Sequence, residues 1–98
     1  MSEFVLTPAA EGDLLEIIEY LEGDSPDAVL RVVDALDEAM QRLAENPAIG
    51  HTRSDLTRAD VRFWRVFKYL VIYRPGTQPL QIVRVLHGRR DVKHILGD

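Results

Sequence analysis

Val61-Arg62-Phe63-Trp64-Arg65-Val66-Phe67, then Tyr69-Leu70-Val71-Ile72-Tyr73, then Leu80-Gln81-Ile82-Val83-Arg84-Val85-Leu86-His87 carry the pattern that decides the fold. These runs are rich in β-branched and aromatic residues, and the period of the first is two, so they read as three strands. A tight turn near Lys68 joins the first pair, and Pro75-Gly76-Thr77-Gln78-Pro79 is the turn signal before the third. Ala48 to Ala59 has no clear period and reads as the loop that leads in, while Asp91 to Leu96 reads as a last short helix.

Upstream, the period is helical. Thr7-Pro8 is a start signal: Thr accepts a backbone N–H as cap, and proline fits the first helical position. Ala10, Leu14, Ile17, Ile18 and Leu21 follow at helical spacing. Gly23-Asp24 ends that helix, and Ser25-Pro26-Asp27 starts another. The second carries Val29, Val33, Leu36, Met40 and Leu43, a coiled-coil-like seam, and runs to about Glu45, where Asn46-Pro47 stops it. Glu3 to Leu6 makes a short first strand. The predicted order is β-α-α-β-β-β, helices grouped and then strands grouped, which is the signature of an α+β fold. A chain of 98 residues predicts one domain over 1–98.

Composition narrows the function classes. The chain is 46% hydrophobic and 29% charged, which excludes wholesale disorder. With no cysteine there is no disulfide framework and no thiolate metal site. No apolar run reaches a membrane span, and Met1-Ser2-Glu3-Phe4 does not open like a signal peptide, so a soluble, cytoplasmic protein is expected. The net charge of −4 hides a split: residues 1–50 hold 12 acidic and 2 basic side chains, residues 51–98 hold 4 and 10. A basic half suits an anionic partner, or the halves attract one another. P-loop, Gly-x-Gly-x-x-Gly and His-Glu-x-x-His motifs are absent, and three separated histidines predict no metal or cofactor.

Four segments carry a resemblance. They are Leu6-Thr7-Pro8-Ala9-Ala10-Glu11 with Asp13-Leu14 and Glu16-Ile17; Arg42-Leu43 with Pro47 and Gly50; Arg62, Val66, Tyr69 and Ile72-Tyr73-Arg74; and Ile82 with Arg84-Val85-Leu86-His87-Gly88 and Arg90-Asp91. In this order they resemble the ParE-like branch of the RelE/ParE superfamily of toxins from type II toxin–antitoxin systems. The resemblance implies an N-terminal strand and a helical hairpin packed on a small twisted antiparallel sheet, with a short C-terminal helical turn. It also implies a co-expressed, ParD-like antitoxin that wraps and neutralises the chain. Operator DNA would be met only through that antitoxin, in an assembly that allows a homodimer or a higher toxin–antitoxin complex.

The superfamily divides by target. Its ParE-like branch poisons DNA gyrase without hydrolytic chemistry of its own; its RelE-like branch cleaves mRNA on the ribosome. Metal-free RNA cleavage needs a base for the 2′-hydroxyl, cations on the phosphate and an acid for the leaving oxygen. On that alternative His87 would be the acid or base, with Arg89 and Arg65 on the phosphate. The same histidine also reads as a strand-end residue that orders the following turn. RelE-like nucleases carry a tyrosine or an equivalent acid–base group near the C-terminus, where this chain has Val92-Lys93-His94-Ile95-Leu96. Alternation places Arg62 with Trp64 on one face of their strand and Arg65 on the other, against a single catalytic floor. The expected function is therefore a gyrase-binding toxin that blocks replication, with no catalytic residue. Its target- or antitoxin-binding set is Arg62, Trp64, Arg65, Arg84, His87, Arg89 and Arg90. A third reading keeps the fold as a non-toxic binding module.

Overall fold

A computed structural model of the chain describes residues 3–97. The elements are β1 (Phe4–Leu6), α1 (Pro8–Glu22), α2 (Pro26–Glu45), β2 (Arg62–Val66), β3 (Tyr69–Arg74), β4 (Leu80–His87) and α3 (Val92–Leu96), with a single 3-10 turn at Pro47–Ile49. The capping signals work as their chemistry predicts. Thr7 Oγ1 accepts the Ala10 N–H at 3.2 Å, and Ser25 Oγ accepts the Ala28 N–H at 3.4 Å. Thr7 also donates its hydroxyl to the Val83 carbonyl at 2.7 Å, so one residue starts α1 and ties it to β4.

The four strands lie in the order β1-β4-β3-β2. The β2-β3-β4 meander is antiparallel, but β1 pairs parallel to β4, with Phe4 opposite Leu80 and Leu6 opposite Ile82. The sheet is thus mixed rather than wholly antiparallel. Parallel neighbours need a long crossover, and here the helical hairpin and two strands separate β1 from β4. Between Ile72 and Tyr73 the β3–β4 register shifts, leaving Val83 as the extra residue of β4.

Two apolar clusters sandwich the sheet. Against the helices lie Val66, Tyr69, Val71, Tyr73, Leu80, Ile82 and Val85, packed on Ile17 and Leu21 of α1 and Leu36, Met40 and Leu43 of α2. The buried stripe of α2 uses Ala39, with Val32 packed beside it, so it follows an ordinary 3.6 period rather than a coiled-coil seam. On the other face Val61, Phe63, Ile72 and Leu86 are covered by Val92 of α3, with Leu56, Ile95 and Leu96 alongside. Among the described residues no helix is long and apolar enough to cross a membrane.

Tyr73 is fully buried and organises the turn after α2. Its hydroxyl donates to the Pro47 carbonyl at 2.7 Å and accepts the Gly50 N–H at 2.9 Å. Burial pushes this hydroxyl above its ordinary pKa, with the Gly50 N–H and the Arg62 charge pulling more weakly the other way. Burial likewise raises Tyr69, helped by Tyr20. An unfolded chain ionises its tyrosines near pH 10 and so loses protons before the folded one does. The contribution of these hydroxyls is therefore complete below about pH 10 and fades as pH rises through the folded-state values. Urea midpoints measured from pH 8 to 11 should fall on the alkaline side, and Tyr73→Phe should flatten that limb; a limb unchanged in Tyr73→Phe would contradict this assignment.

Candidate functional site

The seven candidate positions do not share one surface. Trp64 packs toward the helical layer while its neighbour Phe63 belongs to the opposite cluster, so β2 alternates as its period requires. Arg62 donates to the Gly50 carbonyl at 2.9 Å and reaches the Ala48 carbonyl at 3.5 Å, bracing the turn that Tyr73 holds. Trp64 stacks on His51, centroids 6.2 Å apart and planes 13° off parallel. His51 reaches that place because its backbone pairs with Phe63, N–H to carbonyl in both directions at 2.8 and 2.7 Å. The aperiodic 48–59 stretch gives no sign of this extra pairing. Arg65 turns back on its own hairpin, its Nε donating to the Phe67 carbonyl at 3.0 Å.

Arg84 is committed inside the fold. Its Nε and one terminal nitrogen clamp the two carboxylate oxygens of Asp13 at 2.7 and 2.8 Å. Asp13 Oδ2 also accepts the Val85 N–H at 2.9 Å. The carboxylate raises the Arg84 pKa through its hydrogen bonds and charge, against the opposing effect of burial. Asp13 is 6% exposed and ties the middle of α1 to β4, just past the extra residue Val83. The sequence contains a signal for this: Asp13 stands three residues after Ala10 and four before Ile17, on the stripe that faces the core. A carboxylate there needs a buried partner, and Arg84 supplies it.

His87, Arg89 and Arg90 remain together at the end of β4. His87 Nδ1 accepts the Arg89 backbone N–H at 3.0 Å, which orders the turn and occupies one ring nitrogen. The ring meets Tyr69 edge-on with centroids 5.7 Å apart. Arg90 lies 3.8 Å from Glu16, both half-exposed or more, a contact worth little beyond about 0–1 kcal/mol. His87 and Arg90 line a hollow of about 320 Å³ between α1 and the sheet, with Asp13, Glu16, Ile17 and Tyr20 on one wall and Lys68 and Tyr69 on the other. Lys68 and Tyr69 also border a second, mostly apolar hollow of about 330 Å³, walled by Leu21, Ala28, Arg31, Val32 and Phe67. Among the described residues no three His, Asp or Glu side chains gather as a metal centre would require.

Phe67 sits at the tip of the β2–β3 hairpin with φ +54°, a left-handed conformation that a bulky residue adopts at a cost of about 1–3 kcal/mol. A two-residue hairpin favours glycine at a position of this kind. The tip is pinned regardless, because the Gly88 N–H donates to the Lys68 carbonyl at 2.8 Å and Arg65 holds the Phe67 carbonyl.

The family described as ParE toxin of type II toxin–antitoxin system, parDE, matches residues 4–92. The chain is 28% identical to Toxin ParE3 of Caulobacter vibrioides over 98 residues, covering 99% of this chain and 97% of that protein. It is 32% identical to Toxin ParE1 of Mycobacterium tuberculosis over 93 residues, 93% of this chain and 94% of that one. A solved structure described as a chromosomal ParDE TA system from P. aeruginosa superposes with a TM-score of 0.69 at 22% identity, covering 89% of this chain and 96% of the other. That likeness bears on the fold: a strand, a helical hairpin and a four-stranded sheet, as the sequence predicts.

Proposed function

The chain belongs to the ParE toxin family of type II toxin–antitoxin systems, and from that premise we propose that it is a gyrase-binding poison, held inactive by a ParD-like antitoxin. On this reading it blocks replication by trapping the cleaved-DNA state of DNA gyrase and contributes no catalytic residue. His87, Arg89 and Arg90 form its C-terminal contact element. It meets operator DNA only through the antitoxin, in a homodimeric or larger toxin–antitoxin assembly.

One observation carries the choice of binding over cleavage. The strand-borne guanidinium groups that could converge on a phosphate beside His87 are engaged in the fold: Arg84 on Asp13, Arg62 on the Gly50 carbonyl, and Arg65 through its Nε on the Phe67 carbonyl, which leaves only Arg89 of the two cations the nuclease alternative would use. A general acid–base histidine needs such cations aimed at the developing charge. What supports a grasping surface instead is the pair of adjoining hollows, with exposed aromatics and amines at their rims. The test is direct: purified chain added to gyrase should abolish ATP-dependent supercoiling of relaxed plasmid, and the antitoxin should restore it. Undiminished supercoiling at a large excess of the chain would refute the proposal.

A further inference from the structure

We propose that Phe67 is the anchor of the antitoxin-binding surface, and that an acidic, amphipathic segment of the antitoxin lies along the two hollows that meet at Lys68 and Tyr69. The inference rests on the antitoxin reading above and assigns it a place and a chemistry. Three observations lead here. The first is conformational: Phe67 occupies a left-handed backbone position that favours glycine, with φ +54°. The second is exposure: Phe67 is 57% exposed, so the core makes little use of it, and Tyr20 stands 69% exposed on the wall of the neighbouring hollow. A fold that keeps a large ring where glycine would fit better, and then leaves that ring in water, holds it for something outside the chain. Large exposed aromatics beside preformed hollows are the usual carriers of interface affinity.

The third observation is charge. The hollow beside Phe67 is lined by Arg31 and Lys68 and by no carboxylate, whereas the other sets Glu16 and Asp13 against Lys68 and Arg90, so the carboxylates of the occupant belong over the Phe67 hollow. Neither Arg31 nor Lys68 forms an ion pair among the described residues. An occupant with apolar anchors on one face and carboxylates beside them satisfies both features. A segment that orders on binding can lay such a face along adjoining hollows as an amphipathic helix. The fixed hairpin tip keeps the anchor in place before the partner arrives, which lowers the cost of association.

The test compares Phe67→Gly with the unaltered chain, using as probe the full-length ParD-like antitoxin of the reading above. Phe67→Gly should hold or raise the melting temperature of the free chain, because glycine relieves the backbone, yet weaken antitoxin binding by about 30-fold, or roughly 2 kcal/mol at 1.4 kcal/mol per decade. Tyr20→Ala, on an exposed helix face, should weaken binding without lowering the melting temperature. Arg31→Glu with Lys68→Glu should slow association and reduce its salt dependence. Tight binding by Phe67→Gly would overturn the inference while leaving the antitoxin reading standing. So would a loss of gyrase inhibition in Phe67→Gly with antitoxin affinity intact, which would make this the target surface. Absence of any complex with the unaltered chain would overturn the antitoxin reading and this inference with it.

Discussion

Asp13→Ala should destabilise the chain by about 3 kcal/mol or more, the range for breaking a buried ion pair from one side being about 3–5 kcal/mol. The lower end applies because the Arg84 side chain keeps 23% of its surface in water, whereas Asp13 keeps 6%. Two losses combine. Arg84 is left without the carboxylate that grips it through two nitrogens, and the Val85 N–H loses its acceptor beside the bulge of β4. In a domain of this size each kcal/mol moves the melting temperature by roughly 4–8 °C, so a fall of more than about 12 °C is expected. Asp13→Asn should fall between, since an amide oxygen can still accept one of the three bonds. Pairing Asp13→Leu with Arg84→Met removes both charges at once and should recover part of the loss, the unpaired Val85 N–H accounting for about 1–3 kcal/mol of what remains. Urea unfolding of the four chains checks this; a loss under 1 kcal/mol in Asp13→Ala would mean that α1 is fastened to β4 by packing alone.

Gly50→Ala should cost about 3 kcal/mol, from a methyl group that has nowhere to go. A Cβ built there would stand 2.8 and 2.9 Å from Cε1 and Cζ of Tyr73, and closer still to its hydroxyl. Tyr73 is fully buried and cannot swing away. Overpacking of this kind costs about 1–3 kcal/mol, and the displaced hydroxyl leaves the Gly50 N–H and Pro47 carbonyl without their partner. The glycine is required by close approach and not by its backbone, which is extended at φ −71° and ψ 169°. Removing the obstructing oxygen should relieve part of the clash, so Gly50→Ala and Tyr73→Phe should be less than additive by at least about 1 kcal/mol. Strict additivity would contradict the contact.

Much of this architecture is legible from residue types and spacing. Thr7-Pro8 and Ser25-Pro26 mark both helix starts, and Gly23 and Asn46 follow their last turns, because capping is local chemistry. Leu80 to His87 forms β4 over its full length. What stayed hidden depends on contacts remote in sequence. The parallel placement of β1 follows from where the hairpin delivers β4, which no local pattern encodes. Arg84 reads from its strand as one of several surface cations, and only the packing of α1 across β4 brings Asp13 under it. Arg62, Arg65 and Arg84 therefore look interchangeable in the sequence, yet each braces a different part of the fold. Phe67 carried its own warning, an aromatic residue at a two-residue hairpin tip, but period-two reading takes it for the end of a strand.

On the proposed reading this chain works by holding a macromolecule and not by moving protons at His87. The most direct measurement maps transcript ends on translating ribosomes exposed to the purified chain, at a concentration that stops gyrase supercoiling. Full-length transcripts are expected, with no ends beyond those of an untreated reaction. New ends at ribosome-held codons, lost in His87→Ala, would contradict that reading.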